Sequence, residues 1–184
     1  MYSDLPNKVL SNSSISSLFK LKGVSTFHEA CDFVWKLPYG RTNDQGLTAV
    51  LLEGKGTCSS KHRLLKGLVD ELDIDGVELT VGIYLMNENN TPGVGSVLAQ
   101  SEFDSIPEAH CYLRYDNHRI DLTRSEVVAL KPINQFLKEV AVEAEDLPAF
   151  KEPFHYQYIV ENYGNDRAKA VWTCRELCIA VLAT

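Results

Sequence analysis

Cys58 follows directly on Gly54-Lys55-Gly56-Thr57 and precedes a run of helical apolar spacing. A thiol at a helix start meets unpaired backbone N–H groups and the positive end of the helix dipole. Both favour the thiolate, which is the nucleophilic form. Glycines just before it let a substrate approach the backbone closely. His110 lies 52 positions further on and Asp121 another 11. A histidine holds a thiolate or accepts its proton, then protonates a leaving amine; an aspartate sets the imidazole's tautomer and orientation. Together the three are the parts of a triad that cleaves an amide through a thioester. The Cys58 N–H is a natural oxyanion donor, because a helix N-terminus presents such amides. Gln45, Asn43 and Tyr39 are the candidates for a second donor, and the sequence does not choose among them.

The elements that must position these residues are legible in the same chain. Leu64, Leu65, Leu68, Val69 and Leu72 mark one apolar face of a helix over about Thr57 to Leu72. Ahead of it, Thr26 and Glu29 fit a capping box, and Phe27, Ala30, Cys31, Val34 and Leu37 recur at helical spacing until Pro38 and Gly40 end the run. Gly40 to Gly46 reads as a loop, and Ser11 to Ser17 as a loop or helix start. Val77 to Met86 reads as a strand and Asn87 to Gly95 as a loop. Ala109 to Tyr115 and Arg119 to Leu122 form a hairpin about Asp116-Asn117. That turn sets Arg114 opposite Arg119, His110 opposite Thr123 and Asp121 opposite Tyr112. His110 and Asp121 then share a face as diagonal neighbours, with Cβ atoms roughly 7 Å apart. Ala109, Cys111, Leu113, Ile120 and Leu122 take the opposite, core face. Gln157 to Val160 reads as a further strand and Asn165 to Ala183 as a C-terminal helix. Helices first and sheet later make an α+β chain.

The remaining polar and sulfur residues have plainer readings. Cys31, Cys111, Cys174 and Cys178 sit in apolar periodic stretches and read as core. Cys174 and Cys178 have no histidine pair at zinc spacing beside them. His62, with Lys61 and Arg63, reads as part of a solvated helix face. His28 and His118 read as surface, and His155 as a residue that could line a cleft. Gly54-Lys55 is followed by Gly56 rather than Ser or Thr, so the phosphate-loop pattern is not met. The carboxylates near Asp116 do not have calcium-loop spacing.

Composition bounds the class. The 184 residues suggest a single domain spanning 1–184, long enough for a core without staples. A net charge of −7 argues against a broad grip on nucleic acid or anionic lipid. Five cysteines in such a chain read as reduced thiols. Met1 to Leu10 has no secretory pattern and no apolar run is long enough to span a bilayer, so the expected location is cytoplasmic.

The stretches GKGTCSSKHRLLKGL, EAHCYLRYDNHRIDLT and FVWKLPYGR together resemble the core of the transglutaminase-like superfamily, over roughly residues 24 to 124. The resemblance implies a papain-like α+β fold: N-terminal helices on an antiparallel sheet, with Cys on a helix and His and Asp on following strands. It assigns Cys58 as nucleophile, His110 as base and Asp121 as orienting acid. The Cys-to-His separation is somewhat long and fits a loop insertion at Asn87 to Asp104. Cys111 stands where the family often has an aromatic residue after its histidine. The expected function is a cysteine-dependent hydrolase or acyltransferase acting on a peptide or protein amide, hydrolysis favoured. The alternative is a non-catalytic peptide- or protein-binding module of the same fold. No cofactor and no metal is expected, and neither nucleic acid nor membrane as partner.

Overall fold

The computed structural model describes residues 2–125, 133 and 135–182. Among these, seven α-helices and a four-stranded sheet make an α+β chain. A short 3-10 turn, Tyr2–Asp4, precedes α1 (Ser14–Lys20), α2 (Phe27–Lys36), α3 (Ala49–Glu53) and α4 (Cys58–Glu71). Then come β1 (Glu78–Met86), α5 (Gly95–Leu98), β2 (Ile106–Tyr115), β3 (His118–Ile120), β4 (Lys138–Val142), α6 (Leu147–Tyr163) and α7 (Asn165–Leu182). The sheet order is β3-β2-β1-β4. Four helices precede the first strand, and α2 and α4 are the two that the apolar spacing predicts. The expected last residue of the C-terminal helix, Ala183, lies outside the described residues.

The chain divides into two compact units. The first is Met1–Thr80, Cys111–Glu126 and Ala141–Leu147; the second is Val81–His110, Val127–Val140 and Pro148–Thr184.

In the first unit α4 is the central helix, with α1, α2 and α3 packed against it. Leu64, Leu65 and Leu68 are fully buried, each worth about 1.5–3 kcal/mol of apolar transfer. α2 starts with the expected capping box between Thr26 and Glu29. α1 has no side-chain cap from its own N-cap residue; the Glu71 carboxylate, at the end of α4, accepts the N–H groups of Ile15 and Ser16 instead, each at 2.8 Å. α4 begins at Cys58, with Thr57 as N-cap. Thr57 and Ser60 form a reciprocal cap: the Ser60 N–H meets the Thr57 hydroxyl, and the Thr57 N–H meets the Ser60 hydroxyl at 2.9 Å. The β2–β3 hairpin turns at Asp116 and Asn117, both at positive φ (45° and 63°), which matches the right-handed twist of the strands. Its register pairs Leu113 with Ile120, Arg114 with Arg119 and Tyr115 with His118, as read from the sequence.

The second unit has its own apolar cluster. Tyr84, Met86, Val94, Leu98, Phe103 and Ile106 pack with Ile159 of α6 and Ala168, Val171, Cys174 and Cys178 of α7. The expected strand at Gln157 to Val160 is instead the interior of α6. His155 and Ile159, four apart and both buried, share one side of that helix. Pro148 falls in its first turn, where a missing N–H costs nothing, and Pro153 is accommodated inside it. Glu108 on β2 is buried and paired with Arg175 of α7 by two hydrogen bonds, 2.7 and 2.9 Å. No helix among the described residues is long and apolar enough to cross a membrane.

Candidate functional site

Cys58 is the first residue of α4 and is 7% exposed. The Gly54–Gly56 turn before it is pinned in place. Gly54 ends α3 at φ +67°, a left-handed conformation that suits glycine. The Gly56 N–H donates to Pro38 O at 3.1 Å, and the Gly40 N–H donates to Gly56 O at 3.3 Å. A Cβ on Gly56 would lie 2.8 Å from Lys61 Cγ and 3.2 Å from Val50 Cγ2. The absence of a side chain there serves the protein's own packing, which corrects the reading of this glycine as room for a substrate.

Asp121 lies just after β3, its side chain 44% exposed. Its Oδ1 accepts the Thr123 N–H at 3.0 Å and the Thr123 hydroxyl at 2.5 Å. His110 lies on β2 in the second unit, half-buried, with the Tyr84 ring edge-on at 6.2 Å between centroids. Both faces of β2 are covered at its next two positions, Cys111 (0% exposed) and Tyr112 (1%). The expected core face of the hairpin is buried throughout: Ala109, Cys111, Leu113, Ile120 and Leu122.

Within the first unit the structure joins the Cys58 and Asp121 segments through a histidine that the sequence assigns to a solvated surface. His62 is fully buried. The Leu122 N–H donates to His62 Nε2 at 2.8 Å. That nitrogen is therefore the acceptor, so Nδ1 carries the proton and donates to Cys58 O, also at 2.8 Å. His62 Nε2 also lies 3.9 Å from Asp121 Oδ1, but as an acceptor it has no proton to give the carboxylate. Lys61 is buried too. Its ammonium donates to Leu37 O at 2.5 Å and Thr123 O at 2.7 Å. These two polar side chains stitch the start of α4 to the end of α2 and to the chain leaving β3. The one local signal for His62 is its spacing: four residues after Cys58, it can reach the carbonyl one turn back. His62→Phe keeps a ring in the space and removes both hydrogen bonds. It should cost about 1–3 kcal/mol in urea unfolding, the penalty for a buried unpaired N–H, and should speed hydrogen exchange at Leu122. Parent-like exchange there would refute the assignment.

The candidate second oxyanion donors are differently engaged. Asn43 gives its N–H and its side-chain amide to Glu53. Gln45 uses its backbone carbonyl to accept from Arg63 at 2.9 Å. Tyr39 bridges to Gly56 and carries the Arg124 guanidinium 4.3 Å above its ring.

None of the five cysteines is in a disulfide. Burial pushes the Cys31 thiol well above the usual range, with Asp32 adding to it. Burial and the neighbouring Cys174 push Cys178 up to about 12. Both stay protonated and inert at neutral pH. His155, expected as a cleft residue, is buried, donates from Nε2 to Pro107 O at 2.8 Å and packs on Trp172. Burial lowers its pKa, with the opposing pull of Glu108 second. Among the described residues no group of three or more His, Cys, Asp or Glu side chains could hold a metal ion. Comparison with protein-family models, curated proteins and solved structures finds no match for the chain.

Proposed function

We propose that this chain is a cysteine-dependent hydrolase or acyltransferase of transglutaminase-like, papain-like fold, acting on a peptide or protein amide. Cys58 attacks the carbonyl and forms a thioester; His110 takes and returns the proton; Asp121 orients the imidazole. Water then completes hydrolysis, the favoured outcome, or an amine completes transfer. The observation that carries the reading is the placement of Cys58 as first residue of a 14-residue helix behind a capped Thr57. There the positive end of the helix dipole favours a thiolate and an oxyanion. The β2–β3 register adds support, since Leu113 with Ile120, Arg114 with Arg119 and Tyr115 with His118 are the pairs expected for the hairpin of this reading. A cytoplasmic location accords with five reduced thiols.

A second reading, a binding module of the same fold, is favoured by one feature: Asp121 Oδ1 already accepts two hydrogen bonds from Thr123. Alkylation separates the two readings. At pH 6, iodoacetamide should label Cys58 well ahead of the other four cysteines, and His110→Ala should slow that labelling about tenfold or more. Equal labelling of all five thiols would sink the enzyme reading.

A further inference from the structure

The Ser59 hydroxyl lies 3.4 Å from Cys111 Sγ and 3.9 Å from Cys58 Sγ, both within reach of a hydrogen bond to sulfur. All three residues belong to the first unit. We infer that Ser59 is a positioning residue that holds and stabilises the Cys58 thiolate through a Cys111–Ser59–Cys58 hydrogen-bond chain.

The direction of the chain follows from what each group can do. A serine hydroxyl has one proton and two lone pairs, so it can donate and accept at once. A thiolate can only accept. When Cys58 ionises, the Ser59 O–H donates to its sulfur, and the Ser59 oxygen accepts the Cys111 S–H. A donor that meets an anion forms the stronger, charge-assisted bond. Cys111, 0% exposed, polarises the hydroxyl from behind, and the burial of both thiols strengthens each link. Helix geometry holds the middle member: Ser59 is the second residue of α4, inside the turn closed by the Thr57–Ser60 cap. This also supplies a role for the thiol that follows His110, where the resembling family often has an aromatic ring.

The inference rests on the reading of Cys58 as a nucleophile, and the test separates the two. The rate of iodoacetamide alkylation at Cys58 is followed against pH in the full chain, by peptide mass spectrometry. Ser59→Ala should raise the midpoint by about one pH unit, which is about tenfold slower labelling at pH 6, with an unchanged rate at high pH. Cys111→Ala should move the midpoint the same way by less. Cys111→Ser and Ser59→Thr keep a hydroxyl donor in place and should hold the parent midpoint. A merely structural serine would change the limiting rate or the fold, not the midpoint. A fast parent Cys58 whose midpoint ignores Ser59→Ala overturns the chain alone. A midpoint that ignores Cys111→Ala removes Cys111 from it and overturns the three-member form. A parent Cys58 no faster than its four companions overturns both this inference and the proposed function.

Discussion

Cys58→Ala is expected to lower kcat/KM for peptide-amide hydrolysis by about 10⁴–10⁶-fold, the scale seen when a covalent nucleophile is removed. The readout is fluorophore release from a panel of peptide coumarin amides. The same panel with added hydroxylamine should yield a hydroxamate from the parent, because a thioester is open to an amine nucleophile. His110→Ala should cost a similar factor, and the Cys58→Ala/His110→Ala double variant little more than either. Residues that act as one unit are strongly non-additive. Asp121→Asn should cost about 10⁴-fold, through loss of the correct imidazole tautomer. Turnover that survives Cys58→Ala would exclude the mechanism. Peptide binding without turnover in the parent would favour the binding module.

The second large effect is on stability. Glu108→Gln should destabilise the protein by about 3 kcal/mol, because it takes from the buried Arg175 guanidinium the carboxylate that meets two of its nitrogens and leaves it only the more exposed Glu176 at the third. The Arg175 side chain is 12% exposed and that of Glu108 7%, so solvent does little to screen the loss. Glu108→Leu with Arg175→Leu removes both charges and should fall close to the parent, which would separate the cost of an orphaned charge from the net worth of the pair. The pair also makes stability depend on pH. Burial pushes the Glu108 carboxyl up, but the Arg175 hydrogen bonds and charge, with His155 and Lys151, outweigh it and hold the carboxyl below the usual 4.5. A carboxyl with a lowered folded pKa stabilises above its unfolded pKa and loses that contribution as pH falls through the folded value. Urea midpoints should therefore drop below about pH 4.5 in the parent, and less steeply in the Leu/Leu variant. Equal acid slopes would refute the assignment.

Much of the architecture is legible in local signals. α2 and α4 carry apolar residues at helical spacing and begin at polar caps, so their starts are set within one turn of chain. The Asp116-Asn117 turn and the strands on either side define the hairpin and its register. The misreadings share a cause. Gln157 to Val160 is short and apolar enough for a strand, and only the buried faces of His155 and Ile159 reveal the helix. Lys61 and His62 read as solvated because polarity in a sequence stands for exposure.

By itself, the sequence determined the α+β order, the start of α4 at Cys58, the hairpin about Asp116-Asn117 and the burial of the four apolar-run cysteines. Each of these depends on neighbours a few residues away. Tertiary structure alone decided which polar groups are buried. Lys61, His62 and Glu108 each have a partner 60 or more positions away in the chain. A buried charge or imidazole is stable only where distant backbone or an opposite charge meets it, and no local pattern records that meeting. For the same reason Ser59 came to stand between two thiols 53 residues apart, a placement that the helix and the strand only make together.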